Sequence, residues 1–268
     1  MVATAMRLAV VCAVGLVVLS DYANAQGYLA GNYGYSSGAY YPYSMVQGGL
    51  YNYNYGYASV IVGGLDNYLS GSISSILGGR GHEISGSPQS SINGGYVNTV
   101  YSGSYGGLIG GGYYNRLIDA EYGATISGGR GNYIAGEWSN VNGGYQNYVY
   151  GVAWSAISGG VNNRVYASYV IIGGGNANTA YGAYATVSGG GYNKAYYGAT
   201  VVGGLYNYAG DYCHVGGGLE NKAAGSSTTI GGGQDNTMSG SYSFIGGGLE
   251  NFGDACSYGT VGGGAYNY

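Results

Sequence analysis

The sequence predicts an all-β fold, a single-stranded parallel β-solenoid of about fifteen coils of 14–17 residues. Two observations lead to this fold. A Gly-Gly-x-x-Asn motif recurs without interruption from Ser44 to Tyr268, and a Val or Ile stands six residues before each asparagine position. A period this short holds one turn of short strands and not a globular domain. Stacked turns bury the continuous core that a single turn lacks.

An asparagine column anchors the repeat. Alternate residues of a strand face opposite sides, and the register places this column inside. We expect each amide to bond to backbone groups of its corner and of the next coil, because an unpaired buried amide costs ~1–3 kcal/mol. His82 fills one slot. The column is Asn52, Asn67, Asn98, Asn115, Asn132, Asn147, Asn163, Asn178, Asn193, Asn207, Asn221, Asn236, Asn251 and Asn267.

Three further columns complete the predicted interior. They are the Val/Ile column from Val46 to Val261, a column of small side chains two residues before it, and a mostly apolar column two residues after each asparagine. These columns define two short strands per coil. A Gly-Gly corner and a single-Gly corner join the strands, because such tight corners need positive φ or close backbone approach.

The N-terminus predicts a secreted protein. Residues 1–25 form a signal peptide with Arg7 in its charged part, an apolar stretch of residues 8–19 and an Ala23-Asn24-Ala25 cleavage site. The apolar stretch is shorter than the ~20 residues that span a membrane, so no membrane span is expected in the mature chain. Residues 26–43 are rich in Gly and Tyr, and form an adhesive tip, a cap or an unstructured segment. The repeat domain occupies residues 44–268.

Composition argues against several classes of function. Charged residues make up 7% of the chain, against ~25% in typical domains. The net charge is −4 and lysine and arginine form no cluster, which argues against a nucleic-acid partner. We expect no enzyme activity, metal or cofactor. Alternation turns Cys213 inward and the adjacent His214 outward, so the two cannot act as nucleophile and base. Cys256 lies at a corner, either free or in an intermolecular disulfide.

Tyrosines dominate one outward face of the predicted coils. They lie one or three residues after the asparagine column, where they form a binding or assembly surface or reflect only the strand preference of tyrosine. This predicted face consists of Tyr53, Tyr55, Tyr68, Tyr101, Tyr133, Tyr148, Tyr150, Tyr166, Tyr181, Tyr196 and Tyr208.

Threonines recur on the other outward face, seven residues before the asparagine column. A regular, flat threonine array would indicate ice binding, but Leu108, Ile171, His214 and Phe244 interrupt this one. The alternative is an ordinary strand surface. The candidate ice face consists of Thr125, Thr186, Thr200, Thr229 and Thr260.

The coil resembles two known families. Residues 59–71 (SVIVGGLDNYLSG) and 185–195 (ATVSGGGYNKA) resemble the head repeats of YadA-type trimeric autotransporter adhesins. That resemblance covers residues 44–268 and implies a left-handed β-roll, a homotrimer and a role in adhesion. Residues 65–79 are also similar to the roll repeats of grass ice-recrystallisation-inhibition proteins, which implies a monomeric roll.

The sequence therefore favours a non-enzymatic, secreted or cell-surface protein that presents a tyrosine-rich face for multivalent binding or assembly. The expected partners are a second copy of the chain, as a homotrimer or by end-to-end stacking, and an extracellular matrix or glycan surface. The alternatives are an ice-binding solenoid and an extracellular fibre subunit.

Overall fold

The computed structural model confirms the predicted fold class, an all-β parallel solenoid of about fifteen turns. It describes residues 37–254 and 257–268 and the backbone of residues 9–12, 15–18 and 28–29. Within these residues the chain forms strands and turns and no helix. The chain divides into two compact units, Met1–Gly131 and Asn132–Tyr268. Cys256 and the predicted cleavage site lie outside the described residues.

The first unit contains fifteen strands. The pair β1–β2 is antiparallel and stands apart from the solenoid. From β3 onward, odd-numbered strands pair with one another in one parallel sheet and even-numbered strands in a second. The strands are β1 (Ala9–Cys12), β2 (Gly15–Val18), β3 (Tyr28–Leu29), β4 (Gly38–Ala39), β5 (Met45–Val46), β6 (Tyr53–Asn54), β7 (Val60–Ile61), β8 (Tyr68–Leu69), β9 (Ser75–Ile76), β10 (Glu83–Ile84), β11 (Ser91–Ile92), β12 (Thr99–Val100), β13 (Leu108–Ile109), β14 (Arg116–Leu117) and β15 (Thr125–Ile126).

The second unit repeats this layout with eighteen strands. Even-numbered strands again follow the asparagine column, and odd-numbered strands carry the Val/Ile column. The strands are β16 (Tyr133–Ala135), β17 (Asn140–Val141), β18 (Tyr148–Tyr150), β19 (Ala156–Ile157), β20 (Arg164–Val165), β21 (Ile171–Ile172), β22 (Thr179–Ala180), β23 (Thr186–Val187), β24 (Lys194–Ala195), β25 (Thr200–Val201), β26 (Tyr208–Ala209), β27 (His214–Val215), β28 (Lys222–Ala223), β29 (Thr229–Ile230), β30 (Thr237–Met238), β31 (Phe244–Ile245), β32 (Phe252–Gly253) and β33 (Thr260–Val261).

Each coil has a third pairing position that the two-strand prediction lacked. The residue two before each asparagine forms a single parallel bridge to the next coil, as in Val161 with Asn176 and Leu205 with Leu219. This bridge gives the coil a third hydrogen-bonded side. In the first unit, pairing also begins before residue 44, because Gly38–Ala39 pairs with Tyr53–Asn54.

The core lies between the sheets and consists of the predicted inward columns. Side chains of the Val/Ile column such as Ile61, Ile157 and Ile230 are completely buried, and the apolar column after each asparagine is buried equally well. In the second unit that column narrows to alanine at Ala195 and Ala209. The full run of alanines in this column occupies positions 180, 195, 209 and 223, and the two shortest coils, of 14 residues from Asn193 to Asn207 and from Asn207 to Asn221, fall within it.

The corners differ from the prediction in one respect. The second glycine of each pair has positive φ and allows close approach, since a Cβ at Gly190 would lie 2.0 Å from the carbonyl oxygen of Gly204. However, other left-handed positions carry large side chains. They immediately precede the asparagine column, as at Tyr192 (φ 55°), and the small column, as at Tyr184 (φ 61°). Packing of the inward neighbour imposes this conformation against the local preference of an L-residue.

Candidate binding surfaces

The asparagine column forms a hydrogen-bonded ladder within each unit. The Nδ2 of Asn178 donates to the carbonyl of Gly174 at 2.8 Å in its own coil and to that of Gly190 at 3.0 Å in the next. Its Oδ1 accepts the backbone N–H of Asn193 at 3.0 Å. The asparagines of this column from Asn52 to Asn251 are buried. The column is therefore engaged internally, which makes it a structural element and not a ligand surface.

His82 breaks this ladder. Its backbone N–H donates to Oδ1 of Asn67 at 2.9 Å, and its Nδ1 accepts the N–H of Asn98 at 3.1 Å. These bonds place the remaining imidazole proton on Nε2, which is buried without a hydrogen-bond partner. Burial lowers the pKa of His82. A second proton would sit on Nδ1 and face the Asn98 N–H, so the site holds the neutral ring.

The predicted tyrosine face is outward in both units, and each of its eleven members is at least partly accessible. In the first unit, Tyr55 stacks on Tyr40 with centroids 4.6 Å apart and contacts Tyr68 at 5.5 Å. Tyr53 pairs in register with Tyr68. Tyr101 lies several coils away, beneath the guanidinium of Arg116 at 5.8 Å. The first unit therefore brings three of its four predicted tyrosines together, Tyr53, Tyr55 and Tyr68, and leaves Tyr101 apart.

The second unit joins its seven predicted tyrosines into one series of ring contacts, which we call the tyrosine ladder. Centroids are 5.0 Å apart for Tyr150 and Tyr166, 5.5 Å for Tyr166 and Tyr181, and 5.2 Å for Tyr181 and Tyr196. The first two pairs are parallel within 7°. The ladder consists of Tyr133, Tyr148, Tyr150, Tyr166, Tyr181, Tyr196 and Tyr208.

Cations flank this ladder. The guanidinium of Arg164 lies 6.0 Å from the Tyr148 centroid, and the Lys222 ammonium lies 6.0 Å from that of Tyr208. Burial, together with neighbouring phenols, raises the pKa of Tyr150 and of Tyr208. These two phenols are therefore neutral at physiological pH.

Two shallow grooves meet at Tyr208. One, of about 260 Å³, is lined by Tyr192, Lys194 and Tyr206 together with Tyr208. The other, of about 230 Å³, lies between Tyr208 and Asp211. Both are open clefts in the outer surface, so the second unit offers shallow contacts along the ladder.

The threonine face is interrupted as the sequence indicated. Thr186 and Thr200 are direct neighbours in the second unit. Thr229 lies between His214 and Phe244, Thr260 pairs with Phe244, and Thr125 pairs with Leu108 in the first unit. Two adjacent threonines do not make a flat array, so no specific observation favours ice binding.

The left-handed corner before the small column carries an exposed aromatic row that sequence analysis missed. In the second unit we call it the corner ridge. Trp138 and Trp154 are stacked at 5.4 Å, and Tyr169 and Tyr184 at 5.0 Å. The repeat register could have identified this row, because its members precede the small column in seven of the nine coils of the second unit, with Gly198 and Ser227 in the other two. The ridge consists of Trp138, Trp154, Tyr169, Tyr184, Tyr212, Tyr242 and Tyr258.

Within the described residues, no group of three or more His, Cys, Asp or Glu side chains could hold a metal ion. Cys213 is buried, and its thiol contacts the carbonyl of Gly225. Burial raises the pKa of this thiol. His214 lies on the outward face, paired in register with Thr200 and Thr229. The structure therefore does not bring the cysteine and the histidine together.

Comparison with known proteins leaves the chain without an assigned family. No protein-family model matches the sequence, and no curated protein matches it. The described part of the chain contains no helix long and apolar enough to cross a membrane.

Proposed function

We propose that this protein is a secreted, non-enzymatic structural or adhesive module whose tyrosine ladder is the contact face. The observation that carries the proposal is the continuity of the ladder. Seven tyrosines of the second unit, drawn from successive coils, form one series of ring contacts on a single outward sheet face. Tyr166 and Tyr181 in its middle are each 43% exposed.

The geometry of the stack decides what the ladder offers a partner. The near-parallel rings from Tyr148 to Tyr181 cover one another's faces, so this stretch of the ladder presents ring edges and hydroxyls. Each ring pair adds ~0.5–1.5 kcal/mol of stabilisation, which holds the rings in place before any partner arrives. A preorganised tyrosine row loses little entropy on binding. Many shallow contacts at a fixed spacing then act together through avidity.

This surface suits a repetitive, hydroxyl-rich partner such as a matrix or glycan surface, or a second copy of the chain. With 7% charged residues, neither kind of contact meets strong charge repulsion. The resemblance to YadA-type head repeats supports adhesion, and on that basis we propose a left-handed roll that assembles as a homotrimer.

The test is the retention of the chain, without its predicted signal peptide, on polysaccharide-coated and matrix-coated sensor surfaces. Serine replaces four ladder tyrosines, Tyr150, Tyr166, Tyr181 and Tyr196. The matched control makes the same change at four ridge tyrosines, Tyr169, Tyr184, Tyr212 and Tyr242. We expect the ladder variant to lose retention and the ridge variant to keep it. A folded ladder variant that is retained like the wild type would refute the proposal.

Light scattering behind a sizing column tests the proposed assembly. A discrete trimer supports the homotrimer. A clean monomer contradicts it and indicates that single chains bind the partner. A mass that grows with concentration contradicts a closed trimer and supports open-ended stacking.

A further inference from the structure

The residues of the corner ridge adopt a left-handed backbone conformation that Trp and Tyr disfavour. The slot before the small column occurs nine times in the second unit, and seven of these nine residues are Trp or Tyr with φ between 49° and 64°. A left-handed conformation costs an L-residue ~1–2 kcal/mol, and glycine avoids that cost. Gly198 occupies the same slot with φ 60°, so the corner accommodates glycine.

Core packing does not explain these aromatic residues, because they point outward. Tyr212 is 58% exposed, Tyr242 60% and Tyr258 77%. At Gly198 the preceding residue, Tyr197, fills the gap. It contacts Tyr184 at 5.9 Å and Tyr212 at 5.2 Å, so the row continues past the glycine. Costly conformations that persist in exposed positions point to a functional requirement for the side chain.

The ridge phenols are more accessible to a second molecule than the ladder phenols are. The ridge lies at a convex corner, where a phenol can meet one from another molecule. Ladder rings lie on a sheet face, stacked at both sides, and several are half-buried. Cys213, the one cysteine whose side chain lies in the described part of the chain, is buried, so its thiol is not accessible for a bond between copies.

We propose that the corner ridge is a site of oxidative tyrosine coupling between two copies of this chain. The oxidant is a peroxide acting through a haem peroxidase. Each of two ridge phenols loses one electron and one proton to give a phenoxyl radical. The radicals join through their ortho carbons to give two dienone rings, and in each ring the ortho hydrogen then moves as a proton to the ketone oxygen, which restores both phenols. The balance is two Ar–H plus H₂O₂ giving Ar–Ar plus two H₂O.

The ladder is the poorer substrate for this reaction. Forming a phenoxyl radical requires release of the phenolic proton, and burial with neighbouring phenols raises the pKa of Tyr150 and Tyr208. Parallel strand pairing also holds neighbouring ladder residues in register, for example Tyr133 with Tyr148. Ridge tyrosines are also stacked within one copy, as Tyr169 on Tyr184 at 5.0 Å, but these two are 49% and 56% exposed, against 43% for Tyr166 and Tyr181, and so are more open to a ring of a second copy.

The test treats the chain with a haem peroxidase and hydrogen peroxide, and measures covalent dimer on denaturing gels. Peptide mass mapping locates the linked residues by the loss of two hydrogens. The ridge variant has phenylalanine at Tyr169, Tyr184, Tyr212, Tyr242 and Tyr258. The matched ladder variant has phenylalanine at Tyr150, Tyr166, Tyr181, Tyr196 and Tyr208. Both variants lose five phenols and keep every ring, so their packing should be unaffected, and circular dichroism checks their folding.

We expect the ridge variant to lose most of the covalent dimer formed through residues 132–268, and the ladder variant to form as much as the wild type. Equal yields in the two variants, loss confined to the ladder variant, or links found only within monomers would each overturn the proposal. The experiment is independent of surface retention, which uses no oxidant and is expected to fail in the ladder variant.

Discussion

Replacing His82 with asparagine should stabilise the first unit. The histidine occupies the one slot of the ladder column that is not asparagine, and its Nε2 is a buried donor without a partner. An asparagine there would repeat the neighbouring geometry, in which Nδ2 of Asn98 donates to the carbonyls of Gly94 at 2.9 Å and Gly112 at 3.0 Å. Leaving a buried donor unsatisfied costs ~1–3 kcal/mol, and each new bond adds about 1 kcal/mol. After the lost packing of the larger ring, we expect a net gain of about 2 kcal/mol.

The stability that H82N gains over the wild type should increase at acidic pH. The folded-state pKa of His82 lies below its unfolded value of ~6.5, so the unfolded chain binds the extra proton first. The stability that the neutral ring contributes is complete above that unfolded pKa and is lost as pH falls below it. The loss reaches at most about 1.4 kcal/mol per pH unit. H82N has no such group, so the difference between the two proteins should widen from pH 7 to pH 5.

The assay is urea denaturation at several pH values, combined with hydrogen exchange of the Asn98 amide, because repeat proteins can open locally. His214→Asn is the matched control, since the second of the two histidines lies on the outward face. It should leave stability unchanged. An H82N protein no more stable than the wild type at pH 7, or a difference that does not change with pH, would refute the reasoning.

Three further predictions test the interior and the ladder. Asn163→Ala removes a side chain that makes hydrogen bonds to its own and adjacent coils, and should lower the free energy of unfolding by about 3–5 kcal/mol in urea titrations; an effect under 1 kcal/mol would contradict this role. Gly189→Ala should be tolerated, because a Cβ at this position meets nothing within 4 Å. Gly190→Ala should lower the free energy of unfolding by over ~2 kcal/mol, because Gly190 has a φ of +81° and a Cβ there would lie 2.0 Å from a carbonyl oxygen. Equal thermal unfolding of the two variants would contradict this prediction. The raised pKa of Tyr150 and Tyr208 means that both phenols should ionise above the usual ~10. Their contribution to stability is complete below that value and is lost as pH rises past it. Tyrosinate absorbance that rises in a single step near 10 would be inconsistent with the stacked ladder.

Much of the fold could be predicted from the sequence because the repeat shows which positions of each coil face the interior. A repeat position whose side chain faces inward in one coil faces inward in every coil. The Val/Ile column and the asparagine column therefore identify the core and its register from the sequence alone, with His82 as the exception. The tyrosines after the asparagine column were likewise placed outward by alternation alone.

The sequence did not reveal which tyrosines meet. Tyr101 and Tyr166 occupy the same repeat position, yet Tyr166 stacks on tyrosines of both adjacent coils while Tyr101 lies beneath Arg116. Ring contacts depend on what the adjacent coils place beside each residue and on side-chain rotamers, and the repeat motif specifies neither.

The corner ridge shows the same division between sequence and tertiary structure. Local preference predicts glycine wherever φ is positive, so Tyr184 and Trp154 gave no sign of a left-handed corner. Their conformation is imposed by hydrogen bonds and inward packing of the residues around them. The sequence by itself determined the solenoid, its register and its buried columns, because these follow from periodicity. Only the tertiary structure decided the strained corners and the joined ladder, because both depend on contacts between coils.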